Sequence, residues 1–211
     1  MTTGFVGSDD TPWFDRLALA FKSARRKSIE LGDGRTLRLS SIDERLLALS
    51  AAVGVLKRLP DEVRVDRLRE LMRELQPTDT GEGRRPMLTW EELAEVRDLG
   101  FSVGAHTVSH PILSRVSPER AWQEIEGSRS AIEDALGVPP SAFAYPNGGL
   151  EDYSESVTAL VEKAGFTCAV TTRRGVNTAQ TPPLELRRGG PWERQLPMYA
   201  LKLAHYYLTG V

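Results

Sequence analysis

The stretch that decides the fold is FSVGAHTVSHPILS, running from Phe101 to Ser114. Phe101, Val103 and Ala105 alternate with Ser102, Gly104 and His106. That is the period of two expected of a strand, and Gly104 permits a close backbone approach beside it. His106 and His110 stand four residues apart, with Pro111 directly after the second. Proline has a fixed φ and no N–H, so His110 belongs in a turn rather than inside a helix. Neutral imidazole is the commonest side-chain metal ligand, and the small residues Thr107 and Ser109 leave room for an ion. The same spacing also suits two satisfied loop or core histidines, and taken alone it leaves both readings open.

The neighbouring sequence sets this stretch in a repeating pattern. Before it, Thr89-Trp90-Glu91-Glu92 is a capping box whose helix ends at Gly100. After it, Ser117 and Pro118 open a helix in which Trp122, Ile125, Ile132 and Leu136 recur as core residues until Gly137. Pro139-Pro140 leads into a short strand from Ala142 to Tyr145. Asp152-Tyr153-Ser154-Glu155 caps the next helix, which ends near Ala164, and Gly165 precedes a strand from Phe166 to Thr172. Helices alternating with short apolar strands predict a parallel sheet covered by helices, either open or closed into a barrel. Sites in such sheets lie at the carboxyl ends of strands, where both His106 and the segment Tyr145 to Gly148 fall.

Two motifs now add to that reading. His106-Thr-Val-Ser-His-Pro111, with Leu113 and the capped helix after it, resembles the metal-binding motif of the polysaccharide deacetylases, the NodB-like carbohydrate esterases. Phe143-Ala-Tyr-Pro-Asn-Gly148 is similar to that family's FRxPYG segment. The resemblance covers about half of the chain, residues 87–190. It implies an α/β fold, a partial or distorted (β/α) barrel, with a mostly helical insertion near the N-terminus. It also implies a hydrolase that removes acetyl groups from acetamido sugars of a polysaccharide. In that reading His106 and His110 are two ligands of a divalent metal ion, best suited to zinc, and Tyr145, Pro146 and Asn147 line the substrate groove. The family adds an aspartate ligand, an aspartate base and a later histidine acid.

Several positions depart from the family pattern. No TFDDG-like segment is present, so no base and no third ligand are assigned. Ala144 stands where the family often has an arginine, and Asn147 where it has tyrosine. Asp9 and Asp10 stand in a turn before a helix start, where acidic residues favour the helix dipole. Leu201-Lys-Leu-Ala-His205 superficially matches the family's LxLxH pattern. Its alanine, leucine, methionine and lysine neighbours favour a helix with His205 on its surface.

The remaining chain reads as follows. Residues 1–7 look like the remnant of a barrel strand. Residues 8–76 form an insertion with a helix capped by Thr11 and led by Pro12, its stripe made of Phe14, Leu17, Ala18 and Phe21. A hairpin turns at Asp33-Gly34 within Ser28 to Leu39, and a Ser41-Ile-Asp-Glu44 capping box opens a helix through Leu59. Pro60 starts another, with Val63, Leu68, Leu71, Met72 and Leu75 on its apolar side. Residues 77–86 are a linker, 87–190 the deacetylase-like core with a last strand over Leu184 to Arg188, and 191–211 a C-terminal helix.

Composition narrows the classes. The 211 residues are 40% hydrophobic and carry a net charge of −2, enough for one substantial core. Mixed charges give no basic field for nucleic acid, and no apolar run is long enough to span a membrane. The single Cys168 sits in an apolar stretch and reads as packing. The first residues lack a secretory signal, which as written implies the cytoplasm; a longer N-terminus would open an envelope or secreted location. The missing first motif is expected to reflect an internal start, leaving a shortened deacetylase with little or no activity. The competing expectations are a non-catalytic carbohydrate-binding or scaffolding protein, and a structural zinc site in a helical interaction protein.

Overall fold

The computed structural model describes residues 1–81, 86–189 and 195–209. The expected linker residues 82–85, and Gly190, 191–194 and 210–211 of the expected core and C-terminal helix, lie outside the described residues. The chain divides into two compact units, one of Phe5–Thr89 and one of Met1–Gly4 with Trp90–Val211.

In the first unit α1 (Trp13–Lys22) begins one residue later than the sequence suggests, with Pro12 at the N-cap and no side-chain cap. Asp10 instead accepts from Thr11 N at 2.8 Å, and its exposed carboxylate lies 3.4 Å from Arg16. The buried face of α1 is Trp13, Leu17, Ala20 and Phe21, so Phe14 and Ala18 sit at its margin. The strands β1 (Ser28–Glu30) and β2 (Thr36–Arg38) form the expected antiparallel hairpin, with Ile29 opposite Leu37. Positive φ at Gly34, 81°, is what the tight turn after Asp33 requires.

The helix α2 (Ile42–Leu56) carries the expected capping box. Ser41 Oγ accepts from Glu44 N at 3.2 Å, and the Glu44 carboxylate accepts from Ser41 N. The next helix, α3 (Asp61–Leu75), buries Leu68, Leu71 and Leu75 in one core with Ala48, Ala52 and Leu56 of α2. Val63 is half exposed, contrary to its expected place on the apolar side, because Arg64 takes the inward position and lies over the Trp13 ring.

The second unit contains the decisive stretch. Its elements are α4 (Trp90–Asp98), α5 (Pro118–Leu136), β3 (Ala142–Ala144), α6 (Glu155–Lys163), β4 (Cys168–Val170) and α7 (Leu196–Thr209). Ser117 caps α5, accepting from Arg120 N, and Gly137 ends it in the left-handed region at φ 74°. Both signals were plain in the sequence. The residues β3 and β4 pair in parallel, Phe143 opposite Ala169, with α6 as the crossover. Single parallel bridges extend the sheet on both sides, Ala105 to Phe143 and Leu186 to Val170. The sheet order thus follows chain order.

The expected strands are shorter than predicted: Phe166 to Thr172 contracts to Cys168–Val170, and Leu184 to Arg188 to the Leu186 bridge after a 3-10 turn over Pro183–Glu185, whose i+3 bonds turn the chain away from the ladder. The Phe101 to His106 segment is reduced to the Ala105 bridge, because Phe101 is 64% exposed just beyond the left-handed Gly100 and never enters the sheet. The 1–7 segment forms a 3-10 turn over Thr3–Phe5 rather than a strand. Its amides bond instead to the loop that follows the Ala105 bridge, Thr3 N donating to Thr107 O and Gly4 N to Val108 O. The described strands form an α/β arrangement and no closed ring. Trp122 is half-buried rather than core, its ring lying under Lys163 Nζ at 4.6 Å. No described helix is long and apolar enough to cross a membrane.

Phe143 joins this sheet to its core: 1% exposed, it packs edge-on to Tyr145 and tilted against Phe166. Phe143→Ala should cost about 3–5 kcal/mol in chemical denaturation, and Ser41→Ala, which removes only a helix cap, about 1 kcal/mol.

Candidate metal site

The two backbone hydrogen bonds of the Ala105 bridge place the site. Ala105 N donates to Ala142 O and Ala144 N to Ala105 O, each at 2.9 Å. Gly104 makes this approach possible, since a Cβ there would stand 3.0 Å from Ala142 O. The next residue, His106, therefore lies over the end of β3, with its Nδ1 2.6 Å from Ala144 O. A carbonyl can only accept, so Nδ1 carries the proton and Nε2 keeps its lone pair. Burial holds this imidazole below the ordinary histidine range; the bond to Ala144 O opposes that shift, and the nearby charges of the Met1 ammonium and Arg188 add to it. Both the tautomer and the neutral state are those of a metal ligand.

His110 is brought beside it by a tight loop. The ring centroids are 4.7 Å apart at 76°, and His110 is 6% exposed. Thr107 and His110 both have positive φ, 65° and 60°. A β-branched residue in that region is a genuine outlier, and such strain persists only where the surroundings impose it. Thr107, fully buried, donates its hydroxyl to His106 O at 2.5 Å and accepts from His110 N at 3.1 Å. Outside the loop stands Glu124, 1% exposed on α5. Its Oε2 accepts from Val108 N and Ser109 N at 2.9 and 2.8 Å, and its Oε1 from the Ser109 hydroxyl at 2.6 Å. The pattern of α5 held a signal for Glu124: an acid among the inward positions Ala121, Ile125, Ser128 and Ile132.

The expected groove residues separate into two kinds. Tyr145 is fully buried, its hydroxyl donating to Leu184 O at 2.9 Å and its ring stacked 4.3 Å from Tyr153. Burial pushes its phenol up to about 12. Pro146 is buried as well, whereas Asn147 is half-buried and has φ 61°. The Asn147 Nδ2 atom is enclosed without a hydrogen-bond partner among the described residues. The turn is fastened from the next strand: Thr172 Oγ1 donates to Asn147 O at 2.6 Å and Thr172 N to Gly148 O at 3.0 Å. Arg188, which the sequence did not single out, donates from Nε to Thr171 O at 2.8 Å. His205 is exposed on α7, as its neighbours implied.

Two oriented imidazoles fit a borderline cation such as zinc, which takes histidine nitrogen readily. Among the described residues no group of three His, Cys, Asp or Glu side chains is placed to hold an ion. Glu124 does not add one, because its oxygens are already committed to the loop and to Arg120 at 2.7 Å. The half-buried Cys168 is a free thiol on β4.

The sequence matches the polysaccharide deacetylase family over residues 70–169. It is 28% identical over 93 residues to the Bacillus subtilis (strain 168) protein YxkH, named as a polysaccharide deacetylase, covering 44% of this chain and 32% of that one. It is 33% identical over 73 residues to chitin deacetylase 1 of Cryptococcus neoformans var. grubii, covering 35% of this chain and 15% of that one. Among solved structures it is similar to the Streptococcus pyogenes deacetylase PplD in complex with acetate, with 28% identity and a TM-score of 0.52 over 57% of this chain and 52% of that one. The chain thus spans a third or less of those curated relatives.

The turn at Asn147 and Gly148 tests how tightly the site is built. Gly148 has φ 67°, and a Cβ there would stand 2.8 Å from Thr172 N. Gly148→Ala should therefore lower stability by at least the ~1–3 kcal/mol of a strained backbone residue, measured by urea unfolding.

Proposed function

We propose, from the premise that residues 70–169 carry polysaccharide deacetylase sequence, that this chain holds the metal-binding half of a hydrolase acting on carbon–nitrogen bonds of N-acetylated sugars. The observation that carries the reading is the pair of imidazoles 4.7 Å apart, with His106 Nδ1 tied to Ala144 O. His106 and His110 would hold a divalent ion, zinc for preference. When bound, such an ion polarises an acetamide carbonyl and supplies a water of lowered pKa.

The chain's own residues contribute recognition and order. The Asn147 amide nitrogen, enclosed and without a partner among the described residues, would meet an acetamide or sugar oxygen once its side chain turns outward. Tyr145 and Pro146 act beneath this turn: their buried side chains fix its position rather than touch the sugar. The polymer is of the acetylated kind, chitin-like, peptidoglycan or exopolysaccharide, all of which present the same acetamido group.

An oxygen ligand and a general base are still required, and the described residues place neither beside the imidazoles. This favours low turnover by the chain as given. It also sustains a second reading, a non-catalytic carbohydrate-binding or scaffolding protein that keeps the same groove.

Zinc titration and acetate release from an acetylated chitooligosaccharide separate these readings. Zinc should bind with 1:1 stoichiometry and His106→Ala/His110→Ala should abolish that binding. Acetate release lost in the same variant supports the hydrolase. Glycan binding without acetate release, untouched by the variant, supports the binding protein. Zinc binding unchanged by the double substitution sinks the metal site. If turnover is present, Asn147→Ala should raise KM by about 5–13-fold, the ~1–1.5 kcal/mol of a lost neutral hydrogen bond.

A further inference from the structure

Glu124 holds a carboxylate inside the protein for which hydrolysis has no direct use. It projects from the middle of α5, 1% exposed, and four donors converge on it: the amides of Val108 and Ser109, the Ser109 hydroxyl and the Arg120 guanidinium. Successive backbone N–H groups in a strained loop form a cradle for an anion. Here the anion is part of the chain. We propose that Glu124 is the positioning residue of the metal site, fixing the 106–110 loop so that the His110 imidazole meets His106. The inference rests on reading those two histidines as metal ligands.

Three observations support it besides the hydrogen bonds. The two amides that Glu124 receives lie between the positive-φ residues Thr107 and His110. A loop with two such residues relaxes unless something holds it. The face of α5 is also cut to receive the loop, because a Cβ on Gly127 would stand 3.3 Å from Val108 Cγ2. The other side of Val108 meets Gly4, where a Cβ would stand 2.8 Å from Val108 O. The loop is thus closed in from both sides, with the carboxylate as its polar anchor. Thr107 completes the arrangement by linking His106 O to His110 N.

A carboxylate is specifically needed. Both amides donate to the same oxygen, Oε2, while Oε1 takes the serine hydroxyl and the arginine. A glutamine of equal shape would set its NH2 against donors on one side or the other. Glu124 touches no substrate in this scheme and acts only through the two ligands.

The test uses the whole chain, with zinc alone as the probe. Glu124→Gln should weaken zinc binding by about 10–100-fold, as loss of a partner that orients metal ligands does. Ser109→Ala should weaken it less. Arg120→Ala should leave it within twofold, because that guanidinium is half exposed and the loop amides keep their acceptor. In the metal-free protein, Glu124→Gln should speed amide exchange at Val108 and Ser109 and average the imidazole nitrogen resonances of His110, with the far-UV spectrum unchanged. Unchanged zinc affinity in Glu124→Gln overturns the proposal if the wild type binds zinc. If wild type takes up no zinc, the metal reading fails, and the His110 resonances decide whether Glu124 sets the ring. Unaltered resonances and exchange overturn it there.

Discussion

The structure around the site depends on one pair of backbone hydrogen bonds, those joining Ala105 to Ala142 and Ala144. They are short-range in effect but long-range in sequence, since the whole of α5 lies between the paired residues. Their consequence is to make Ala144 O the acceptor for His106 Nδ1. A free surface histidine exchanges tautomers and rotates; this one is fixed in both respects by a single carbonyl. The sheet itself is thin, with three-residue strands and single bridges at its margins. The strength of this unit accordingly comes from side chains such as Phe143, Ile125 and Val161 packed without exposure rather than from ladder length.

Much of this was legible in the sequence because its local signals agree with one another. Ser41 and Ser117 each begin a helix, Gly137 ends one in the left-handed conformation, and the hairpin turns at Asp33-Gly34. The strand end at His106 and the proline-bounded turn at His110 were both readable, which allows the two rings to meet without by itself fixing them together. The parallel order of β3 and β4 followed from the helix between them.

The remainder depended on partners far away in the chain. Strand length was overestimated at Phe101 because alternation of apolar residues does not say where the neighbouring strand ends. Tyr145 reads as the wall of a groove until its ring is seen against Tyr153, with Leu184 O at its hydroxyl. Glu124 looks like half of an ordinary helical ion pair with Arg120, and only the loop 15 residues earlier gives it a different part. Positive φ at Thr107 carries no sequence signature at all, for threonine is among the residues least suited to it.

The enclosed carboxylate of Glu124 also limits what the loop can do toward molecules outside. Amides gathered on a bend normally form a receptor for phosphate, sulfate or a carboxylate. Those of Val108 and Ser109 are already saturated from within. The loop backbone therefore has neither of these amides left to offer an anion from outside. The Met1 ammonium and Arg188 are described cations whose charge already reaches His106.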